Sequence, residues 1–405
     1  MNAIDPRILV DVLNGVYGDR TDYFLEWVQE DPRREELLWF LQGLSIGPDG
    51  VNGLLNRIRG FAEWGSSLAQ TLRFMAGGEF TGHYPSRIGS DETAELFKMM
   101  DEASVAAQAT LADTKVSRIV LKELDLALVH KVPVPFFSDS RFGKTKLGSV
   151  SCQMRIGRRR LVTCAESGRD WDFFASVAKP LGVQFTDRTP APRIKRAIEH
   201  VLQDSGLFLV FDEAHYLIPV KFHKNTPPRL LNWVRGQVID KGAGCAFFST
   251  SQSYNQSLER YAKTTKYNLE QFLGRVAPAV VLADYYDRDE LMAVAKVHFP
   301  EFPEKLMALI CARAMQAEGY LKSVEHAARY ASALAAERKN TTPTLQDVEA
   351  AIERMMPAKG TAAGSEAEGT RGKSVAPRSP KSPIIAPDLE DPFRNRPVTP
   401  PLITA

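Results

Sequence analysis

The sequence predicts an α/β protein: a three-layer core around a parallel sheet, preceded by a helical N-terminal region and followed by a small α-helical lid. Three observations predict it. Between about 113 and 299, short runs rich in β-branched and aromatic residues alternate with helical stretches, the pattern of parallel strands joined by crossover helices. One run, Gly206-Leu207-Phe208-Leu209-Val210-Phe211, ends on the adjacent carboxylates Asp212 and Glu213. Upstream, a turn through Gly143, Lys144 and Thr145 follows an apolar run and opens a helix.

Residues 1–112 read as mostly helical, with amphipathic runs at 22–28 and 34–44 interrupted by Gly47, Gly50 and Gly53. A helix is expected over 118–130 and a first core strand over 132–137. Its prolines, Pro133 and Pro135, suit a strand start or a sheet edge better than a central position. Further strands are expected at 161–163, 182–185, 207–211 and 245–249, which together with the first make up the α/β segment 113–299. Residues 300–356 return to helix, with an alanine-rich stretch at 324–338 and a cap at Thr344 ahead of Asp347. From Pro357 to the end at 405 the chain is rich in Pro, Ala, Gly and Ser and poor in large apolar residues, so it is predicted to be disordered.

A chain of 405 residues with 44% hydrophobic content has material for more than one core. A formal net charge of +2 does not mark the whole molecule as a nucleic-acid binder, so any such surface must be local. The cysteines Cys152, Cys164, Cys245 and Cys311 are far apart with no C-x-x-C pair, which argues against zinc and against a disulfide framework. They read as small buried residues in a reducing compartment. No apolar stretch reaches the roughly 18 residues of a membrane helix, and the N-terminus lacks a signal pattern. A soluble cytoplasmic protein without membrane contact is expected.

The two motifs share one chemistry. A buried strand carries Asp212 to the end of a sheet, where a carboxylate holds Mg²⁺ through water, and Glu213 is then placed to orient or deprotonate an attacking water. The other half is the loop Ser138-Asp139-Ser140-Arg141-Phe142-Gly143-Lys144-Thr145. Backbone N–H groups at a helix start cradle phosphates, Lys144 reaches the β- and γ-phosphates, and Thr145 ligates the metal. The pattern G-x-x-x-x-G-K-[ST] has glycine where this chain has Ser138. A serine there costs on the order of 1 kcal/mol if the glycine backbone angle is retained. Together the motifs predict a site for ATP with Mg²⁺. The letters Asp-Glu-Ala-His also occur in a helicase group, but the chain after 300 is too short and too helical for a second motor domain. Two basic groups, Arg155 with Arg158 to Arg160 and Arg193 with Lys195 and Arg196, are read either as contacts to nucleic-acid phosphates or as a solvated face.

On these motifs, residues 113–356 resemble the AAA+ ATPases. The resemblance implies that 138–145 is the Walker A loop and 208–213 the Walker B strand. It also implies a polar sensor at Thr250, directly after the strand 245–249, and a second sensor in Gly319-Tyr320-Leu321-Lys322-Ser323-Val324, with Lys322 where many members have arginine. Arg275, in Gln271-Phe272-Leu273-Gly274-Arg275-Val276, then stands where such proteins present an arginine to the neighbouring subunit's γ-phosphate, with Arg260 as runner-up. A homo-oligomer with active sites between subunits follows from the same likeness. Within AAA+, the chain is similar to the ATP-dependent transposition helpers of the phage Mu B, TniB and ExeA-like group. That similarity rests on 139–145, on Asp212-Glu213-Ala214-His215 and on 271–276, and implies action on DNA or on a transposase-like partner. A short stretch from Leu13 to Asp19, followed by Tyr23 to Val28, resembles the segment that closes the DNA-binding domain of the Mu B type. The alternative reading is a nucleotide-gated interaction module, in which Ser138 weakens turnover and ATP switches conformation or assembly.

Overall fold

Five parallel strands form the centre of the protein in the order β2-β3-β4-β1-β5: β1 (Val134–Phe137), β2 (Arg159–Thr163), β3 (Phe208–Asp212), β4 (Gly244–Ser249) and β5 (Val280–Val281). The computed structural model describes residues 3–16, 33–58, 66–77, 90–139, 142–219, 227–265, 267–268, 270–282, 286–316 and 320–356. The expected helix at 22–28, the expected tail from 357 and the loop residues Ser140 and Arg141 lie outside them, as does most of the stretch likened to a DNA-binding segment.

Strand alternation divides the core by face. Phe137, Val162, Leu209, Phe211, Cys245 and Phe247 point to one side, and Val134, Phe136, Phe208, Val210, Ala246 and Phe248 to the other. On the first side the sheet packs against α1 (Pro6–Leu13), α2 (Arg34–Ser45), α3 (Gly50–Arg57) and α4 (Ser66–Met75), which supply Leu9, Leu37, Trp39, Leu54 and Leu72. The helix α5 (Ser90–Ala109) adds Leu96 and Phe97 to the same core. So do α8 (Asp170–Leu181) and α9 (Ala191–Leu202), joined by Trp233 of α10 (Arg229–Trp233), which continues as a π-helical turn over Val234–Ile239. The helices α11 (Ser251–Thr265) and α12 (Glu270–Leu273) complete this layer. The opposite face is covered by α6 (Lys115–His130), α7 (Lys144–Met154) and the C-terminal helices α13 (Arg288–His298), α14 (Glu304–Gln316), α15 (Tyr320–Glu337) and α16 (Leu345–Met355). The protein is therefore a three-layer α/β fold with a parallel sheet.

The helix ends follow local chemistry. Thr114 caps α6 through a reciprocal box with Ser117, and Thr344 does the same for α16 with Asp347. The expected strand at 182–185 does not form. Gly182 instead closes α8 in the left-handed region at φ 78°, with Gly182 N–H donating to the Lys179 carbonyl and Val183 N–H to that of Ala178. Val183 and Phe185 are apolar because they pack behind this helix end, Phe185 edge-on to Trp171, and not because they join the sheet. The two-residue β5 is an addition to the expected strands, in the short apolar run Ala279-Val280-Val281-Leu282-Ala283.

Pro135 occupies a strand with neighbours on both sides, against expectation. Parity explains how. The Pro133 and Phe137 carbonyls accept from Ala277 and Leu282 on the β5 side, so Pro135, in the same phase, directs its missing N–H towards β5. That neighbour pairs only from Phe136 onward, while the full register with β4 is kept by Val134 and Phe136.

Candidate functional site

The strand order brings the two motifs to one end of the sheet. The phosphate-type loop leaves the carboxyl end of β1, Asp212 ends β3, and β4 lies between them with Ser249 in register with Phe137. Crevices beyond the carboxyl ends of parallel strands are where α/β sheets take ligands. Asp212 shares its phase along β3 with Phe208 and Val210, so its side chain belongs to the face covered by α7, the helix that the loop opens.

Gly143 supports the turn directly. It caps α7 at φ 77°, a left-handed conformation that residues with a Cβ rarely adopt, and the next residue, Lys144, begins the helix. Lys144 Nζ donates to the Ser138 carbonyl (3.0 Å), the Ser138 hydroxyl (3.0 Å) and the Asp139 carbonyl (2.7 Å), closing the loop upon itself. Burial pushes this ammonium below the usual lysine range, and the nearby Glu213, Asp212 and Asp139 draw it back up. Ser138 is buried and is not among the residues with positive φ. The expected strain is therefore absent. The serine instead works through its hydroxyl, which accepts from Lys144 and donates to the Asp139 carbonyl at 3.2 Å.

Tyr286 anchors the loop at Phe142, a contact the sequence does not announce. The Phe142 ring stacks on Tyr286 (centroids 5.4 Å apart, planes at 15°), and the Tyr286 hydroxyl donates to the Phe142 carbonyl at 3.0 Å. Burial pushes the Tyr286 phenol up to about 12, so it remains a donor at neutral pH. Leu321, in the first turn of α15, lies 3.6 Å from where a Cβ on Gly143 would sit. The start of α15 thus overhangs the loop, and Lys322, exposed to solvent, is the next residue. Thr145 is exposed in the first turn of α7.

On β3, Asp212 is buried to 3% exposure, and its carboxylate accepts from Glu213 N–H at 3.0 Å. Glu213 itself sits in the left-handed region at φ 52°, ψ 42°, a strained place for a residue with a side chain. The strain turns the chain sharply out of the sheet and leaves the Glu213 carboxylate half-exposed, 3.4 Å from His215 Nδ1. His215 Nδ1 also lies 3.3 Å from Ser249 Oγ at the end of β4. Burial pushes the His215 pKa down, with Glu213 and Asp212 opposing the shift, which keeps the imidazole neutral at neutral pH. Thr250 is occupied differently. Its hydroxyl accepts from Ser253 N–H at 3.2 Å and donates to Ser253 Oγ at 2.7 Å, the work of an N-cap for α11. The sequence shows Ser249 only as the end of a strand, and its place beside His215 depends on register that the sequence does not display.

Arg275 follows α12 and is held on the surface by Asp240, with Nε 2.6 Å from Oδ1, and by the Gln271 carbonyl. It is 42% exposed and turned towards its own chain.

The first basic group is not a nucleic-acid surface. Arg159 and Arg160 lie in β2 and are buried, Arg159 against Asp125 at 2.6 Å. Arg160 donates to the Gly157 carbonyl (2.8 Å), the Pro180 carbonyl (3.0 Å) and the Gln42 side chain, tying β2, α8 and α2 together. Burial pushes its pKa down to about 10. Arg158 pairs with Glu35 and Arg155 with Asp125. In the second group, Arg193 and Arg196 line an open groove against α1, but Asp5 and Asp11 line it too, so it carries both signs of charge.

The donor set fits Mg²⁺ and a nucleoside triphosphate: a helix start behind a left-handed glycine, one ammonium, one hydroxyl at Thr145 and one buried carboxylate at Asp212. Mg²⁺ keeps water and substrate oxygens among its ligands and needs few from the protein. No group of three or more His, Cys, Asp or Glu side chains that could hold a metal occurs among the described residues. No helix among them is long and apolar enough to cross a membrane.

No protein-family model matches the sequence, and no curated protein matches it. Solved structures similar to it include the Aeropyrum pernix ORC2 protein in its ADPNP-ADP complexes, at 12% identity over 64% of this chain and 72% of that one, with a TM-score of 0.48. The Aeropyrum pernix ORC1 protein in complex with DNA matches at 15% identity over 62% and 69%, with a TM-score of 0.46. The RuvB Holliday junction branch migration motor of Thermotoga maritima matches at 14% identity over 60% and 70%, with a TM-score of 0.38. Scores this low do not carry function across. The strand order and the loop geometry of the chain itself establish the α/β core.

Proposed function

We propose that the chain is an AAA+ ATPase that binds ATP with Mg²⁺ and hydrolyses it, acting on DNA or on a DNA-bound partner. One observation carries the nucleotide reading: Lys144 and the Asp212–Glu213 pair meet at the carboxyl ends of β1 and β3 with one strand, β4, between them. Lys144 binds the β- and γ-phosphates by exchanging its contacts to Ser138 and Asp139 for phosphate oxygens, and the α7 amides cradle the same groups. Thr145 and Asp212 hold the metal, whose charge offsets that of the phosphates. Glu213 orients the attacking water and takes its proton. Lys322 reaches the phosphates from the lid, and Arg275, released from Asp240, reaches those of a neighbouring subunit in a homo-oligomer. We place 113–299 as the nucleotide domain and 300–356 as its lid, with 1–112 as the helical region that braces the opposite face.

The DNA and transposase-like parts of the reading rest on sequence resemblance alone. A nucleotide-gated module with slow turnover is the second reading, and the observation that favours it is Ser138, whose hydroxyl holds Lys144 within the loop. Phosphate release from ATP, measured with Mg²⁺ and with EDTA, and with and without duplex DNA, separates these readings. The ATPase reading expects Mg²⁺-dependent release that DNA stimulates. Tight ATP binding without release leaves the gated module, and no ATP binding removes both.

A further inference from the structure

The contacts around His215 are not used in phosphate or metal binding, and they converge on one atom. Nδ1 lies 3.4 Å from Glu213 Oε2 and 3.3 Å from Ser249 Oγ. A single ring nitrogen cannot serve both in the same way. Protonated, it donates to the carboxylate; unprotonated, it accepts from the hydroxyl and presents its lone pair to the carboxylate. The ring is fixed for this choice. It follows Glu213 on the 3₁₀ turn Ala214–Leu217, lies 4.1 Å from the Tyr216 ring, and faces a serine that is 1% exposed and held in register with Phe137.

We propose that His215 is the positioning residue for Glu213. In the Nδ1–H tautomer it donates to Oε2, which fixes the carboxylate at the end of β3 and leaves Oε1 for the attacking water, while Ser249 competes for the same nitrogen. This rests on Glu213 acting as the water-orienting carboxylate. In the step it serves, the water O–H bond breaks and its proton passes to Oε1. The oxygen bonds to the γ-phosphorus, the bond to the ADP oxygen breaks, and the proton leaves with the products.

The test compares His215→Leu, which has no donor, with His215→Asn, whose amide nitrogen occupies nearly the place of Nδ1. Phosphate release should fall about 10-fold in kcat for the leucine variant, the scale of one charge-assisted hydrogen bond, with KM unchanged. The asparagine variant should recover most of that loss, and Ser249→Ala should lose nothing. A leucine variant as fast as the wild type, or an asparagine variant as slow as the leucine one, overturns the proposal. Glu213→Gln, run in parallel, distinguishes the two levels. If it is inactive while His215→Leu is not, only the role of His215 fails; if it turns over normally, the assignment of Glu213 fails as well. Nitrogen-15 NMR of histidine-labelled wild-type protein needs neither turnover nor a variant that folds poorly. The proton should reside on Nδ1 of His215, and a ring protonated only on Nε2 contradicts the proposal.

Discussion

Removing the Tyr286 hydroxyl tests whether the segment just ahead of α13 holds the phosphate loop. Tyr286→Phe keeps the ring stacked on Phe142 and deletes one buried hydrogen bond of 3.0 Å to the Phe142 carbonyl. A bond of this kind contributes about 1 kcal/mol net, and up to about 3 kcal/mol if the carbonyl finds no replacement donor. The loss is divided between two readouts. Urea denaturation should show about 1 kcal/mol less stability, and titration with a fluorescent ATP analogue should show roughly 5-fold weaker binding, because the loop must be ordered by the ligand. The phenol, pushed up to about 12 by burial, adds a pH signature. A folded-state pKa raised above the unfolded value of about 10 gives stability that is complete below pH about 10 and is lost as pH rises towards about 12. Tyr286→Phe should lack that decline. Unchanged stability and unchanged ATP affinity in Tyr286→Phe would refute the anchoring of the loop by this residue.

Ser138→Gly should lower the melting temperature slightly, since it removes a hydroxyl bonded to Lys144 and adds backbone freedom worth about 0.5–1 kcal/mol, with no strain to relieve; a rise on calorimetry would restore the strain account. Arg160→Ala should cost about 3–5 kcal/mol in denaturant unfolding, because three acceptors, two of them buried, lose a charged donor. The salt dependence of any DNA binding should be unaffected by that change, and a reduced slope would return Arg160 to the nucleic-acid surface. Arg275→Ala should bind ATP normally yet hydrolyse it slowly, and mixing it with Glu213→Gln protein should restore part of the activity through interfaces that carry both intact residues. Co-assembled mixtures that stay inactive would leave Arg275 as the partner of Asp240 seen in this structure.

What was legible in the sequence was local. The strand that carries Asp212, the glycine turn before Lys144 and the cap at Thr344 each announce themselves within a few residues, through period, φ requirement or side-chain chemistry. Part of the rest depends on partners far along the chain. Arg159 and Arg160 looked like surface charge because Asp125, Pro180 and Gln42 are their acceptors, and adjacency in sequence says nothing of them. The run at 182–185 has a strand's composition, yet Gly182 ends a helix and its apolar neighbours pack behind that end. Ser249 and Tyr286 acquire their places from strand register and from a contact 144 positions away. Thr250 directly follows β4, and in the fold its hydroxyl caps α11, while Ser249 meets the histidine beside Glu213.

The most direct measurement of the central claim is single-turnover hydrolysis of Mg²⁺-ATP by wild-type and Glu213→Gln protein, with ATP affinity measured on the same samples and Lys144→Ala as the binding control. The account predicts that Glu213→Gln binds ATP as tightly as wild type and releases phosphate at least about 100-fold more slowly, the scale of removing a positioned base, while Lys144→Ala fails to bind. Hydrolysis at the wild-type rate by Glu213→Gln, or undiminished ATP binding by Lys144→Ala, would contradict it.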